Sequence, residues 1–106
     1  MAKRYREIYS GLIKLHVLHH ASCEPIYGLE MIEELTRHGY KLGPGTLYPL
    51  LHSMEQQGLL KSKLQSGYGR ARRVYTATTA GRRALAEAKL KVGELFREMS
   101  NSTRRP

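Results

Sequence analysis

The stretch GPGTLYPLL, residues 43–51, combines two glycines and two prolines with the apolar spacing of a helix. Apolar residues recur in it and beyond it at i, i+3, i+4 and i+7, which indicates one face of a helix. They are Leu47, Leu50, Leu51 and Met54. Gly43 can serve as N-cap, and Pro44 suits the first helical position, where its missing N–H would have no intrahelical partner. The sequence therefore predicts a helix that starts at Pro44 and stops at Gly58.

The opposite face of this predicted helix has no charged side chain. It presents Gly45, Thr46, Tyr48, Pro49, His52, Ser53 and Gln56. Pro49 removes one backbone hydrogen bond within the helix, so we expect a bent first turn. A helix start built of small residues can approach another backbone closely and present its N–H groups to phosphate.

The whole chain is of a size for one domain. It has 106 residues, and its single cysteine, Cys23, can form no disulfide within the chain, which fits a reducing cytosol. No apolar run approaches the roughly 18 residues of a membrane helix, and the first residues lack the apolar segment of a signal peptide. We therefore predict a cytoplasmic protein without a membrane partner.

The charge of the chain points toward a polyanion. Lysine and arginine number 18 against 9 acidic residues, a formal net charge of +9. No acidic residue occurs between Glu55 and Glu87. Seven cations fall in this gap: Lys61, Lys63, Arg70, Arg72, Arg73, Arg82 and Arg83. Such a block favours nucleic acid as the partner, although a charge run can also be a merely solvated face.

Two further helices are predicted before residue 43. The first spans about residues 4–21 and carries an apolar stripe wider than one small core needs, so part of it is expected to face a partner chain. Its apolar and aromatic positions are Ile8, Leu12, Ile13, Leu15, Val17, Leu18 and His19. The second helix begins near Gly28, after the break at Pro25, and ends before Gly39, a suitable C-cap.

The segment after Gly58 predicts a β-hairpin, because two β-prone arms flank the glycine-rich tip QSGYG at residues 65–69. Thr78 then fits the N-cap of a fourth helix, which carries a short coiled-coil-like seam. The seam residues are Leu85, Ala88, Val92, Leu95 and Met99. The order of elements predicts a mainly α protein with a small β-hairpin, a winged helix-turn-helix. We assign residues 1–78 to this DNA-binding domain, 79–100 to a dimerisation helix and 101–106 to a disordered tail.

The same residues resemble the PadR family of transcriptional regulators over roughly residues 5–85. The matching pieces are Tyr27 and Gly28, GTLYP at 45–49, GLL at 58–60, Arg73, Tyr75, Thr78 and Gly81. The resemblance implies a homodimer of winged helices that usually represses transcription and is released by a small molecule or a stress signal. Smaller members of the family have a single C-terminal helix, as predicted here. The chain departs from the family at Gly43, at Ala77 and in lacking tryptophan, so an effector site built on a central tryptophan is not expected.

The DNA-contacting residues follow from the predicted placement of the third helix and the wing. Thr46, His52, Ser53 and Gln56 are expected near base edges, and Tyr48 at a phosphate, unless its ring braces the helix pair instead. The set also includes Tyr27, Gly45 and Pro49, with the wing cations Lys61, Lys63, Arg70, Arg72 and Arg73. Tyr75 is expected in the core. A two-fold dimer, held by Leu12 and the seam, predicts an inverted-repeat operator in double-stranded DNA.

Other functions remain open at this stage. His16, His20 and Cys23 at i, i+4 and i+7 could mark a metal-responsive winged-helix sensor, although we predict neither a metal nor a cofactor. A winged-helix module for protein partners without DNA binding is a third reading. No phosphate-binding glycine fingerprint and no nucleophile–base pairing indicates an enzyme. An effector pocket, if present, is expected between the first and fourth helices.

Overall fold

The computed structural model describes the backbone of residues 3–67 and 70–101 and the side chains of 5–67 and 71–101. Four helices and three strands follow one another along the chain. They are α1 (Lys3–Cys23), β1 (Ile26–Tyr27), α2 (Gly28–Arg37), α3 (Pro44–Gln56), β2 (Leu60–Gly67), β3 (Arg70–Ala77) and α4 (Thr79–Ser100). The predicted mainly α fold with a small sheet is confirmed. The hairpin tip at residues 68–69 lies outside the described residues.

The sheet has three antiparallel strands in the order β1-β3-β2, rather than the two of the predicted hairpin. The additional strand, β1, pairs Ile26 with Tyr75 and Tyr27 with Val74. Two residues are too few to show a period in the sequence, which is why the pattern of the chain did not reveal this strand. Its consequence is that the start of α2 is joined directly to the wing.

The core lies between α1, α2, α3 and one face of the sheet. α1 contributes Ile13, Val17 and Leu18 to it, all buried. On another side of the same helix Ile8 is 72% exposed and Leu12 is 41% exposed. The wide apolar stripe is therefore divided, as the sequence predicted, between the core and the surface. α1 also ends at Cys23, two residues later than expected.

The start and end of α3 follow the local rules of helix capping. The carbonyl of Gly43 accepts from the N–H groups of Thr46 and Leu47, at 3.1 and 3.0 Å, and Pro44 occupies the first helical position. The helix continues through Pro49 and ends at Gln56. After it, Gly58 has φ of +80°, the left-handed conformation that glycine adopts without strain.

The beginning of α4 is fixed against the end of α3. Thr78 is the N-cap, and its hydroxyl accepts from the N–H of Gly81 at 3.0 Å while donating to the carbonyl of Gly58. The N–H of Thr78 donates to the carbonyl of Leu59 at 3.1 Å. The predicted cap is thus confirmed, and it also joins the two ends of the hairpin. Asn101 ends α4, and residues 102–106 of the predicted tail lie outside the described part of the chain.

Candidate nucleic-acid interface

The two faces of α3 separate as the sequence spacing predicts. Leu47, Leu51 and Met54 are fully buried in the core. The polar face remains at the surface: Gly45, Tyr48, Pro49, His52 and Gln56 are exposed, and Thr46 and Ser53 are half-buried. No charged side chain lies on this face. It can therefore approach base edges in the major groove of DNA, which offer both hydrogen-bond donors and acceptors.

Tyr48 is held beside the first residue of α2. A Cβ built on Gly28 would lie 2.4 Å from its Cε1 and 2.8 Å from its hydroxyl oxygen, so the ring occupies the space that any other residue at position 28 would fill. Tyr48 nevertheless stays 43% exposed. The bracing contact and an exposed ring therefore coexist, and packing against α2 does not exclude a phosphate contact by its hydroxyl.

The wing meets the same surface through Tyr27 and Arg72. The hydroxyl of Tyr27 donates to Oε1 of Gln65 at 2.8 Å, and the guanidinium of Arg72 lies 5.1 Å from the centre of the Tyr27 ring. This separation permits a cation–π interaction. A shallow cleft of about 260 Å³ connects Tyr27, Gly28, Tyr48 and Arg72. The starts of α2, α3 and the basic wing thus form one continuous surface.

The predicted wing cations do not all point the same way. Arg73 donates to the hydroxyl of Ser62 at 3.0 Å, and Ser62 in turn donates to Glu55 at 2.7 Å. Lys61 and Lys63 instead border an open groove of about 600 Å³ that reaches Arg82 at the start of α4. Arg72, beside Tyr27, borders the same cleft as Tyr48. The side chain of Arg70 lies outside the described residues.

Arg6 of α1 is a contact that the sequence gave no reason to expect. Its Nη1 donates to Oγ1 of Thr46, 3.2 Å away, so α1 contacts the first turn of α3. The two residues are 40 positions apart, and no local pattern predicts such a contact. The only available signal was the basic character of the segment KRYR at residues 3–6.

His20 and His16 of α1 contact Glu34 of α2 and His38 at its end, respectively, rather than converging with Cys23. Nε2 of His20 lies 3.5 Å from Oε2 of Glu34, and Nε2 of His38 lies 2.8 Å from the same oxygen. The ring of His16 packs 4.7 Å from that of His38. Within residues 5–67 and 71–101, no three His, Cys or Glu side chains are arranged to hold a metal ion. Cys23 is exposed at the end of α1.

The electrostatics of this cluster have simple causes. Burial lowers the pKa of His16, and the nearby His38 and His20 lower it further. Hydrogen bonds from Arg37 and His38 lower the pKa of Glu34. The neutral form of His16 and the charged form of Glu34 are therefore the ones that the fold favours.

The predicted dimer residues line the outside of α1 and α4. A groove of about 460 Å³ between these helices is bordered by Leu12, Leu15, His16, His19, Leu85, Lys89 and Val92. Leu95 is 53% exposed, and Phe96, which the sequence analysis did not include, is exposed beside it. Leu85, which borders this groove, is half-buried and also packs against the core of its own chain. His19, which the sequence places on the apolar stripe of α1, is exposed in the single chain.

Known proteins are similar to this chain in both sequence and fold. The Transcriptional regulator PadR-like family matches residues 17–87. The transcriptional regulator Rv3488 of Mycobacterium tuberculosis is 50% identical over 94 residues, which cover 89% of this chain and 88% of that protein. No helix among the described residues is long and apolar enough to cross a membrane.

Two crystal structures extend the comparison to three dimensions. A PadR-like transcriptional regulator of Bacillus cereus is 27% identical, with a TM-score of 0.84 over 94% of this chain and 99% of that one. A PadR family regulator of Eggerthella lenta is 29% identical, with a TM-score of 0.77 over 99% and 100% of the two chains. The winged-helix architecture is thus shared along nearly the whole chain, and the protein belongs to the PadR-like family of transcriptional regulators.

Proposed function

We propose that this regulator is a homodimeric, sequence-specific repressor, in which α3 reads the major groove and the wing holds the DNA backbone. The observation that carries the proposal is the continuous surface formed by the polar face of α3, the start of α2 and Arg72. It lies on a chain with a net charge of +9. Such a surface suits DNA because phosphate contacts position a protein while base edges specify the sequence.

In this proposal the roles divide by chemistry. His52, Ser53 and Gln56 contact base edges, and the hydroxyl of Tyr48 donates to a phosphate. Arg70 and Arg72 are assigned to contacts at the minor groove. Arg73 contributes less, because its guanidinium already donates to the hydroxyl of Ser62, which itself donates to Glu55. Lys61 and Lys63 act only through the general positive field if their groove stays clear of the duplex.

The experiment that tests DNA binding replaces Arg70, Arg72 and Arg73 with alanine and follows affinity for one duplex as salt rises. Each lost phosphate contact removes about 0.9 from the slope of log affinity against log salt. We expect a shallower slope and weaker binding, and the same loss when the titration is repeated with an unrelated duplex. A matched variant with alanine at Arg37, Lys91 and Arg97, exposed cations outside the proposed surface, should retain the wild-type slope.

Two results would contradict this assignment. An unchanged slope in the wing variant would mean that these arginines form only a solvated face. Early elution of the wild-type protein from heparin and from duplex DNA would instead favour a winged-helix module for protein partners. Such a module has no need of cations that contact phosphate.

The dimer is proposed from apolar surface that one chain leaves exposed. Ile8, Leu12 and Leu95 lie on α1 and α4, the two helices that border the same groove. Burying such side chains stabilises association by about 25 cal/mol per Å² of apolar area, before the costs of association. A second copy of the chain covers both helices at once, and a two-fold dimer presents two copies of α3 to an inverted repeat.

Sedimentation at micromolar protein concentration measures the dimer directly. Leu95→Glu should shift the protein toward its 12.1 kDa monomer, because the dimer would bury the new charge. Leu90→Glu is the matched control, since Leu90 is 74% exposed and lies two positions from Val92, on nearly the opposite side of α4. A monomeric wild type, or equal effects of the two variants on the sedimentation, would refute the assignment of the α4 seam to a dimer contact.

The effector site is proposed at the groove between α1 and α4. Its lining is mostly apolar, with His16, His19 and Lys89 as polar groups. This composition suits an apolar or aromatic molecule that carries an anionic group. Because the groove borders the proposed dimer contact, a ligand there can change the spacing of the two α3 helices and so release the operator.

A further inference from the structure

The contact between Arg6 and Thr46 fixes the direction of a hydrogen bond. A guanidinium has donors only, so the oxygen of the Thr46 hydroxyl must accept from Arg6 at 3.2 Å. The hydroxyl hydrogen of Thr46 then remains available for a second bond. Thr36 and Thr78 donate their hydroxyl hydrogens to backbone carbonyls, of Ile32 and Gly58. Within the described part of the chain, the Thr46 hydroxyl has no such acceptor.

The guanidinium of Arg6 is also without an ionic partner among the described side chains. A small cleft is bordered by Arg6, Thr46 and the acidic residue next to Arg6 in sequence, Glu7. Glu7 forms no ion pair with Arg6. Arg6 on α1 and Thr46 on the first turn of α3 are each half-buried. A positive charge with several remaining N–H donors thus stands beside a hydroxyl that can donate, at the edge of the proposed DNA surface.

We propose that Arg6 and Thr46 together bind one phosphate of the DNA backbone at the start of α3. The pair presents donors and positive charge, and a phosphate offers several acceptor oxygens and negative charge. A base edge fits less well, because the adjacent O6 and N7 acceptors of guanine can match two guanidinium donors but carry no negative charge. The role differs from the base contact that helical spacing predicts for Thr46. It rests on the proposed function and adds α1 to the DNA-binding elements.

The test measures affinity for one duplex over a range of salt concentrations by fluorescence anisotropy. Arg6→Met keeps the length of the side chain and removes its donors. It should weaken binding about 10-fold and lower the salt slope by about 0.9. Thr46→Val should weaken binding with little change of slope, since no charge is lost.

Adding Thr46→Val to Arg6→Met should reduce the affinity less than Thr46→Val alone does, because Arg6 sets the direction of the hydroxyl. Arg97→Met, an equal loss of charge on α4, should leave both quantities unchanged.

A second readout locates the phosphate. In a set of duplexes, each with one neutral methylphosphonate, wild type should lose affinity at a particular position, and Arg6→Met should be insensitive there. Equal slopes and equal position profiles for wild type and Arg6→Met would overturn the inference while leaving DNA binding intact. If Arg6→Met does not fold, the profile of Thr46→Val decides: a wild-type profile overturns the inference as well. Absence of DNA binding by the wild type would instead refute the proposed function.

Discussion

Gly81 and Gly28 both stand where a side chain would meet another part of the chain, but their neighbours differ. A Cβ on Gly81 would lie 2.1 Å from the carbonyl oxygen of Leu59, which is backbone. A Cβ on Gly28 would lie 2.4 Å from the ring of Tyr48, which is a side chain at the surface. The first close approach joins α4 to the wing, and the second shapes the proposed DNA surface.

The difference separates residues that maintain the fold from residues that shape the interface. The carbonyl of Leu59 also accepts from Thr78, so it cannot move without disturbing the N-cap of α4. The Tyr48 ring can rotate about its side-chain bonds into solvent, because it is already partly exposed. Both glycines match the PadR pattern, yet substituting them should have opposite consequences for stability and for DNA binding.

The largest expected effect is the loss of stability in Gly81→Ala. The added methyl forces apart two backbone segments and also meets Leu18, with its Cδ2 at 3.2 Å. Overpacking of this kind costs about 1–3 kcal/mol, and backbone contact places this site at the upper end. The measurement is the midpoint of urea denaturation. Salt dependence of DNA binding by the folded fraction should not change.

Gly11→Ala is the matched control for that variant. Gly11 lies within α1, and a Cβ there would have no described atom of another element within 4 Å. The replacement should stabilise the protein by about 0.8–1 kcal/mol, the difference in helix propensity. If Gly81→Ala were as stable as Gly11→Ala, the joint between Leu59 and α4 would not be as close as described.

A smaller effect on stability and a larger one on binding are expected for Gly28→Ala. Its backbone has no left-handed φ, and alanine gains helix propensity, so the free energy of unfolding should change by less than about 1 kcal/mol. The methyl displaces the Tyr48 ring, and affinity should fall for specific and unrelated duplexes alike. Tyr48→Phe should reproduce part of this loss, because it removes only the hydroxyl.

A double variant tests whether displacement of the Tyr48 ring causes the loss of DNA affinity. In a Tyr48→Ala background there is no ring to displace, so Gly28→Ala should then have no further effect on DNA affinity. An equal loss in both backgrounds would show that Gly28 acts on DNA by another route. Anisotropy with two unrelated duplexes is sufficient, because the predicted loss does not depend on the sequence.

Local patterns in the sequence were sufficient for much of the fold. Capping rules located the start of α3 at Pro44 and of α4 after Thr78, and helical spacing separated Leu47, Leu51 and Met54 from the polar face. Such features depend on a few neighbouring residues. The strand β1 depends instead on pairing with β3, and a segment of two residues carries no period of its own.

The contacts within the proposed interface were only partly predictable for the same reason. Tyr48 was placed on the correct face, but its contact with Gly28 and the bond from Arg6 to Thr46 depend on the packing of separate helices. The five predicted wing cations formed one group in the sequence. The sheet directs Arg73 toward Ser62, and Lys61 and Lys63 toward the groove by Arg82. Strand alternation determines these directions once the register is known.

The central claim, that α3 reads the DNA sequence, is tested by selection from random duplexes with the wild type and with His52→Ala and Ser53→Ala. The wild type should select an inverted repeat with half-sites roughly 34–36 Å apart, or a multiple of that distance. Each variant should lose preference at particular base pairs, by about 1–3 kcal/mol where its side chain contacts a base. Selection of the wild-type motif by both variants, with undiminished preference at every position, would contradict the claim.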